Sequence, residues 1–310
     1  MLENVSLTQS RVDLDSWGYT NHLSPAVYAG LLIGEAEGGT TVRGDIELKD
    51  YLGVHADYSL ADQDLRLGGG IGWVHGDIEL SGIKVNDLYV RIDARTDQDG
   101  YTPADGAPPL AGGGLIGWAD GNVTLSDISM TDVSSDVIRR EGGDPLPSYA
   151  GGFVAYCGGD LTARSVSLAG EYANVDAQPE QGDAYGGGLC GYCGGGAEVS
   201  DSRFSLTLSP MFHGDTLYES NVLGYVCGDA SFLNVQADCG IEEYTGESRA
   251  NSIIATSHST YYLAALAGGA EGSVSADGCV IDVHYNLMNT PKALHDGTAD
   301  GAEGCYNHVS

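Results

Sequence analysis

Five aromatic side chains have the spacing that best fits a recognition surface. They are Trp73, Trp118, Tyr156, Tyr192 and Tyr225, and each lies one residue after a glycine or alanine of a repeated segment. If the repeats stack, these rings form a ladder. An outward ladder would offer a platform on which sugar rings stack, whereas an inward ladder would be ordinary core. The position before each small residue is also apolar, so strand alternation leaves both interpretations open.

The sequence contains no recognisable catalytic motif. It lacks the His-Glu-x-x-His pattern of metallopeptidases, the Gly-x-Ser-x-Gly elbow of hydrolases and a lysine-bearing phosphate loop. We therefore predict a protein that is not an enzyme, with no catalytic residues and no resident cofactor or metal. Carboxylates are abundant, however, and a pair of them on one face would suit glycoside chemistry.

Acidic residues crowd the segments between repeats, and calcium is the ion that they would suit. The two groups are Asp57, Asp62 and Asp64, and Asp93, Asp97, Asp99 and Asp105. Asp97-Gln98-Asp99-Gly100 matches part of a calcium-binding loop, but Arg95 occupies the place of the first ligand and no glutamate closes the loop. Solvated acidic loops are the favoured interpretation, and calcium binding is the alternative.

The seven cysteines lie in the C-terminal half of the chain. They are Cys157, Cys190, Cys193, Cys227, Cys239, Cys279 and Cys305. Most occupy repeat positions at which other repeats place Val, Leu or Ala, so we expect buried core thiols. Cys190 and Cys193 form a CxxC pair, but no second pair accompanies it, so a zinc or redox role is the weaker interpretation.

The charge of the chain restricts its partners. Lysine and arginine number 13 against 44 acidic residues, for a formal charge of −31. Such a chain repels nucleic acid, anionic membranes and polyanionic glycans, so we expect neutral or cationic partners. No apolar segment is long enough to predict insertion into a membrane. The N-terminal residues do not resemble a signal peptide but a strand within a repeat, and the C-terminal residues show no cap, so we expect a portion of a larger protein.

A glycine-marked repeat runs along the chain. The small residues that anchor it are Gly34, Gly72, Gly117, Ala155, Gly191, Gly224 and Ala267, which recur every 33 to 45 residues. A second glycine follows four residues later in most repeats, as Gly121 follows Gly117. Alternating apolar residues after this glycine predict a strand of period two. The repeat thus reads as strand, glycine corner, strand, short bend, strand and polar loop.

A coil of this kind cannot bury its apolar side alone, so the sequence predicts stacked coils. We predict an all-β, right-handed parallel β-helix of about seven coils with variable loops, forming one repeat region over residues 1–310. The predicted coils begin near residues 28, 67, 110, 149, 185, 218 and 260, with a partial coil over residues 1–27. The longest loops are predicted at Asp93 to Pro109 and at Ser134 to Ser148.

The segment Gly113-Gly114-Leu115-Ile116-Gly117, with Gly121 four residues further on, resembles the GLUG motif. That motif is a repeat of large bacterial surface proteins, which include adhesins and some IgA-specific metallopeptidases. The resemblance covers roughly residues 28–281. It implies a secreted or cell-surface bacterial β-helix that serves as a stalk or an adhesive surface.

From this resemblance we expect a non-catalytic, adhesin-type repeat region that recognises a glycan or protein of a host or of the environment. The sequence also allows two alternative functions. One is a glycan-active β-helix hydrolase or lyase that uses loop carboxylates. The other is a passive stalk that holds another domain away from the cell.

Overall fold

The computed structural model describes residues 2–3, 5–14, 26–60, 64–95, 109–140, 146–179, 182–208, 214–242 and 260–286. These residues are all-β, and their strands pair in parallel in three sheets. The predicted parallel β-helix is confirmed, while its right-handed winding stays a prediction. Among the described residues there is no helix of a length and hydropathy that could span a membrane.

Each of seven coils contributes one short strand to a first sheet and one to a second sheet. The first sheet contains Val27–Gly30, Leu65–Gly68, Leu110–Gly113, Ser148–Gly151, Ala184–Gly187, Thr216–Ser220 and Thr260–Ala264. The second contains Ile33–Glu37, Ile71–His75, Ile116–Ala119, Val154–Cys157, Cys190–Cys193, Leu223–Val226 and Ala267–Ala270. We number the coils one to seven in this order.

The third sheet has 16 strands and forms the broad side of the rod. Its strands are Ser6–Thr8, Arg11–Asp13, Thr40–Val42, Ile46–Lys49, Leu52–Leu60, Ile78–Ser81, Ile83–Arg95, Val123–Arg140, Leu161–Ala169, Asn174–Pro179, Ala197–Ser200, Arg203–Leu208, Ala230–Leu233, Gln236–Glu242, Val274–Asp277 and Val280–Asn286. Apolar residues at alternate positions of these strands enter one continuous core that runs through the coils. Phe153, Phe204 and Phe232 are the largest of its fully buried side chains.

Glycine at the corner between the first and second sheets allows successive coils to approach closely. A Cβ on Gly114 would lie 2.0 Å from the carbonyl oxygen of Gly152 in the next coil. No side chain fits such a gap. The Gly114 amide instead donates to the Gly151 carbonyl at 3.0 Å, and Gly152 donates to Gly187 at 2.9 Å. This corner is therefore a column of coil-to-coil hydrogen bonds.

A second column lies at the corner between the second and third sheets. The side-chain oxygens of Asp77, Asn122 and Asp160 each accept the backbone N–H of the next coil at 2.8 Å, from Asn122, Asp160 and Gly196 respectively. The repeated glycine four residues after the anchor makes room for these oxygens. A Cβ on Gly159, for example, would lie 2.4 Å from Oδ1 of Asn122.

The short bend within the third sheet is formed in each coil by a residue whose backbone is in the left-handed conformation. These residues form a column along the rod. Asp127, Ser165, Asp201 and Asn234 have φ between 51° and 55°. Small polar residues tolerate this conformation better than others because their side chains can hydrogen-bond locally. Asn234 Nδ2 donates to Asp201 Oδ1 at 3.1 Å, which links two coils at this bend.

Three features differ from the sequence prediction. The anchor of coil seven is Gly268 and not Ala267, because Ala267 pairs with Leu223 and Gly268 therefore lies opposite Gly224. A Cβ on Gly268 would lie 2.7 Å from the Gly224 carbonyl oxygen, which is too close for a side chain and explains why this position is glycine. Each coil also has a separate first-sheet strand before the glycine corner, which the predicted coil did not distinguish.

The third difference concerns the predicted loops. Strand Ile83–Arg95 includes Asp93, and strand Val123–Arg140 includes residues 134–140 of the predicted loop Ser134 to Ser148. Val133, Ser135 and Val137 alternate inward and are fully buried. The polar residues between them are the outward-facing residues of the same strand. Their composition, rich in Ser and Asp, is typical of a loop.

Replacing Gly159 by Ala should destabilise the protein, because the new Cβ would collide with the Asn122 side chain that holds the next coil. We expect a loss of about 1–3 kcal/mol in the free energy of unfolding, measured by chemical denaturation. Thr162→Ala, at an exposed position of the same coil, is the matched control. Equal stability of the two variants would contradict the proposed role of this corner.

Candidate functional site

The five predicted aromatic residues lie in register along the second sheet. Trp73 pairs with Trp118, Trp118 with Tyr156, Tyr156 with Tyr192, and Tyr192 with Tyr225. All five are half-buried, and none belongs to the main core. We call these five residues the aromatic ladder. It is neither ordinary core nor a fully exposed platform.

A second column of rings lies beside the aromatic ladder, and sequence reasoning missed it. Tyr149, Tyr185, Tyr218 and Tyr262 are in register on the first sheet, and we call them the tyrosine ladder. The first three precede Tyr156, Tyr192 and Tyr225 by seven residues each, a constant offset that the sequence contains. Across the corner, rings of the two ladders meet edge to face at 4.9–5.8 Å between centroids.

The tyrosine ladder is a continuous stack, and so is the aromatic ladder from Trp118 to Tyr225. In the aromatic ladder, Tyr156 and Tyr192 are parallel within 2° at 5.4 Å, and Tyr192 and Tyr225 within 9° at 5.7 Å. Trp118 stacks on Tyr156 at 3.6 Å. In the tyrosine ladder, Tyr185 and Tyr218 are parallel within 5° at 5.4 Å. Each inner ring therefore has neighbours on both faces, and the stack presents ring edges and hydroxyl groups to solvent.

Ala111, Tyr149 and Ala155 form the buried base of the two ladders. Trp118, Tyr156, Tyr185 and Tyr192 pack around them, in a cluster separate from the main core. Burial raises the pKa of the Tyr149 hydroxyl well above its ordinary value. The ladders thus supply apolar packing of their own on the outside of the rod.

In coil two, Arg66 occupies the position that the tyrosine ladder fills in later coils. Its guanidinium carbon lies 3.7 Å from the Trp73 ring centroid and 4.4 Å from that of Trp118. Asp64 holds the guanidinium through two hydrogen bonds, of 2.8 Å to Nε and 3.1 Å to Nη2. A cation enclosed by two indole rings and paired with a carboxylate stabilises this end of the stack.

Carboxylates border the two ladders, and we call Asp64, Asp120, Asp183 and Glu271 the rim carboxylates. Asp120 accepts the indole N–H groups of Trp73 and Trp118 at 3.1 and 2.8 Å. The hydroxyl groups of Tyr28, Tyr185 and Tyr225 donate to Asp64, Asp183 and Glu271 at 3.1, 3.4 and 3.3 Å. Burial, and then the charge of Glu271, raise the pKa of Tyr225 to about 12.

His75 connects the rim to the first coil. Its Nε2 lies 2.6 Å from Glu35 Oε1, and its Nδ1 lies 3.5 Å from Asp120 Oδ2. The hydrogen bond with Glu35 raises the pKa of this imidazole. Glu35 occupies the ladder position of coil one and is exposed.

This geometry changes the contact that the five predicted residues could make, while their binding role stays a prediction. A sugar ring cannot lie flat on Tyr156 or Tyr192, because neighbouring rings cover both faces. What the surface offers is ring edges, hydroxyl groups and fixed carboxylate acceptors. Such groups suit a ligand rich in hydrogen-bond donors.

The acidic residues proposed for calcium fall into two sets. Asp62, Asp97, Asp99 and Asp105 lie outside the described residues, as does the side chain of Asp57. Asp64 is a rim carboxylate, and Asp93 is buried and accepts a hydrogen bond from Arg91 at 3.1 Å. Within the described ranges, no group of three or more His, Cys, Asp or Glu side chains is placed to hold a metal ion.

A polar cluster on the third sheet was also missed. Asp136 and Asp176 are in register on neighbouring coils. Tyr89 Oη donates to Asp136 at 2.7 Å, and Asn174 Nδ2 donates to it at 3.2 Å. The cluster arises where a strand was mistaken for a loop. It brings together two carboxyl groups, although Asp176 is only 8% exposed.

The predicted burial of the cysteines is confirmed for Cys157, Cys190, Cys193 and Cys239. Cys157 and Cys193 are in register, and both thiols lie within hydrogen-bonding distance of the Gly159 carbonyl oxygen. Burial raises the pKa of Cys190 well above its ordinary value. Cys227 and Cys279 are half-buried, and Cys305 lies outside the described residues.

The fold and this surface define a parallel β-helix with an external double stack of aromatic rings. Neither the protein-family models nor the curated proteins or solved structures with which the chain was compared give a match.

The stacking of Tyr156 on Tyr192 should be measurable as a coupling energy. A double-mutant cycle with Tyr156→Leu and Tyr192→Leu should give about 0.5–1.5 kcal/mol, the range for aromatic pairs beyond area burial. The control cycle pairs Tyr156→Leu with Tyr51→Leu, since Tyr51 is 79% exposed. Additive effects in both cycles would show that the ladder does not act as a stack.

The buried thiols should resist labelling in the folded protein. We expect a thiol reagent at neutral pH to modify Cys227 and Cys279 well before Cys157, Cys190, Cys193 and Cys239, because only the first two have exposed surface. Mass spectrometry of the labelled peptides gives the order. Early modification of the Cys190–Cys193 pair would favour the redox interpretation instead.

Proposed function

We propose that this chain is the recognition region of a bacterial surface or secreted protein, an adhesin-type β-helix without catalytic activity. The observation that carries the proposal is the double stack of rings along the outside of the rod. Apart from the buried Tyr149, its rings are half-exposed; the stack lies outside the main core and is bordered by the rim carboxylates. The resemblance to the GLUG motif supports a location on the cell surface.

The chemistry of the surface favours a neutral glycan as the ligand. Carboxylate oxygens accept hydrogen bonds from sugar hydroxyl groups, and tyrosine hydroxyl groups can donate or accept them. The net charge of −31 opposes polyanionic glycans. A linear glycan that lies along the rod would meet equivalent groups at each coil. Many weak contacts would then add up along its length.

The proposal predicts that the rim carboxylates contribute to binding. We expect the double variant Asp183→Asn and Glu271→Gln to bind an immobilised neutral glycan at least tenfold more weakly than the natural chain, because two hydrogen-bond acceptors lose their charge. The initial screen uses an array of neutral and acidic glycans at physiological salt.

The matched control is Glu79→Gln with Glu198→Gln, which removes the same charge from exposed positions of the third sheet. The control should bind as the natural chain does. Equal weakening by both double variants would mean that net charge alone governs binding. Failure to bind any neutral glycan would overturn the choice of ligand, and a passive stalk would then be favoured.

One observation favours the alternative function, a glycan-active enzyme. Asp136 and Asp176 are in register on neighbouring coils. Retaining and inverting glycosidases both use two carboxyl groups. Release of reducing ends from a polysaccharide panel, lost in Asp136→Asn, would support this alternative. No release would leave the binding proposal as it stands.

A further inference from the structure

Glu219 is a carboxyl group buried inside the rod. It lies on the first-sheet strand of coil six and is 2% exposed. Both of its carboxyl oxygens are buried and have no hydrogen-bond partner among the described residues. A carboxylate in such a position is shielded from solvent and receives no hydrogen bond from the described residues, so its ionised form is strongly disfavoured.

The neighbours of Glu219 do not compensate its charge. On the adjacent coils, the residues in register are Gly186 and Leu263, and neither is polar. A Cβ on Gly186 would lie 3.2 Å from Glu219 Cγ, so the absence of that Cβ makes room for the buried side chain. From the third sheet, buried Asp176 acts on Glu219 with charge of the same sign.

Other buried titratable groups of the described residues include the thiols of Cys190 and Cys239 and the guanidinium of Arg139, whose own pKa burial lowers to about 10. The pKa of Glu219 is raised well above its ordinary value, first by burial and then by Asp176. Among the residues that the structure describes, no cation contributes to the pKa of Glu219.

We propose that Glu219 is a built-in pH sensor whose proton loss to solvent loosens the strand Thr216–Ser220 and with it the tyrosine ladder. Glu219 is directly connected to the tyrosine ladder, because Tyr218 immediately precedes it on the same strand. Its ring is stacked between Tyr185 and Tyr262, at 5.4 and 4.8 Å. Movement of this strand would therefore interrupt the stack between coils five and seven.

The direction of the pH effect follows from the raised pKa. The folded chain keeps the Glu219 proton at pH values at which the unfolded chain has lost it. The stability that this proton provides is fully present below the ordinary pKa of 4.5 and is lost as the pH rises toward the raised value. The ladder is thus most firmly held in mildly acidic solution.

The test compares the natural chain with Glu219→Gln, which keeps the shape of the side chain but cannot ionise. The folded-to-unfolded ratio is measured by chemical denaturation from pH 5 to pH 8. In the natural chain, we expect this ratio to fall at least tenfold more than in Glu219→Gln, since each unit of pKa change corresponds to a factor of ten. Glu198→Gln, an exposed glutamate of coil five, should follow the natural chain.

Parallel pH profiles for the natural chain and Glu219→Gln would overturn the proposal. If Glu219→Gln does not fold, amide hydrogen exchange in the natural chain decides instead. Between pH 5 and pH 8, protection of Thr216–Ser220 should fall relative to that of the equivalent strand Leu110–Gly113. An equal change in both strands would contradict the sensor. This outcome is independent of whether the surface binds a glycan.

Discussion

The close approach of successive coils at the glycine corners is the constraint on which the structure depends. At these positions, atoms of an adjacent coil occupy the space that a side chain would need, as Gly114 and Gly159 show. The contact fixes the coils in register and allows hydrogen bonds to run from coil to coil. Equivalent residues therefore stack directly over one another. Everything that recurs along the rod, including both ring ladders, follows from this register.

Because the coils are in register, side chains that recur in the sequence form continuous columns on the surface. Aromatic residues at one repeat position can stack, because neighbouring strands of a sheet lie only about 4.8 Å apart. The rings from Trp118 to Tyr225 do so. The same stacking covers the ring faces, so the external surface consists of edges, hydroxyl groups and the rim carboxylates. A feature that stabilises the rod thereby also determines which ligands it can contact. A buried carboxyl group such as Glu219 then sits next to a ring of the ladder because strand residues alternate between inside and outside.

Much of the fold could be predicted because its strongest signals are local. Glycine spacing identified the corners, and apolar alternation after Gly121 or Gly159 identified the strands. The strand of Val123–Arg140 was predicted too short, because its outward Ser and Asp residues have the composition of a loop. The tyrosine ladder was missed because Arg66 and Ala111 occupy the same position in coils two and three. Ring orientation, and the contact between Asp136 and Asp176, depend on three-dimensional register that a single sequence does not show.

The glycine corners hold each coil to the next through backbone hydrogen bonds. Amide hydrogen exchange followed residue by residue tests it directly, because exposed turns normally exchange fast. The amides of Gly121, Gly159, Gly195 and Gly228 each donate to the corner of the preceding coil at 2.8–3.2 Å. We expect these four amides to exchange as slowly as amides in the neighbouring strands. Exchange at the rate of an unstructured peptide would contradict this expectation.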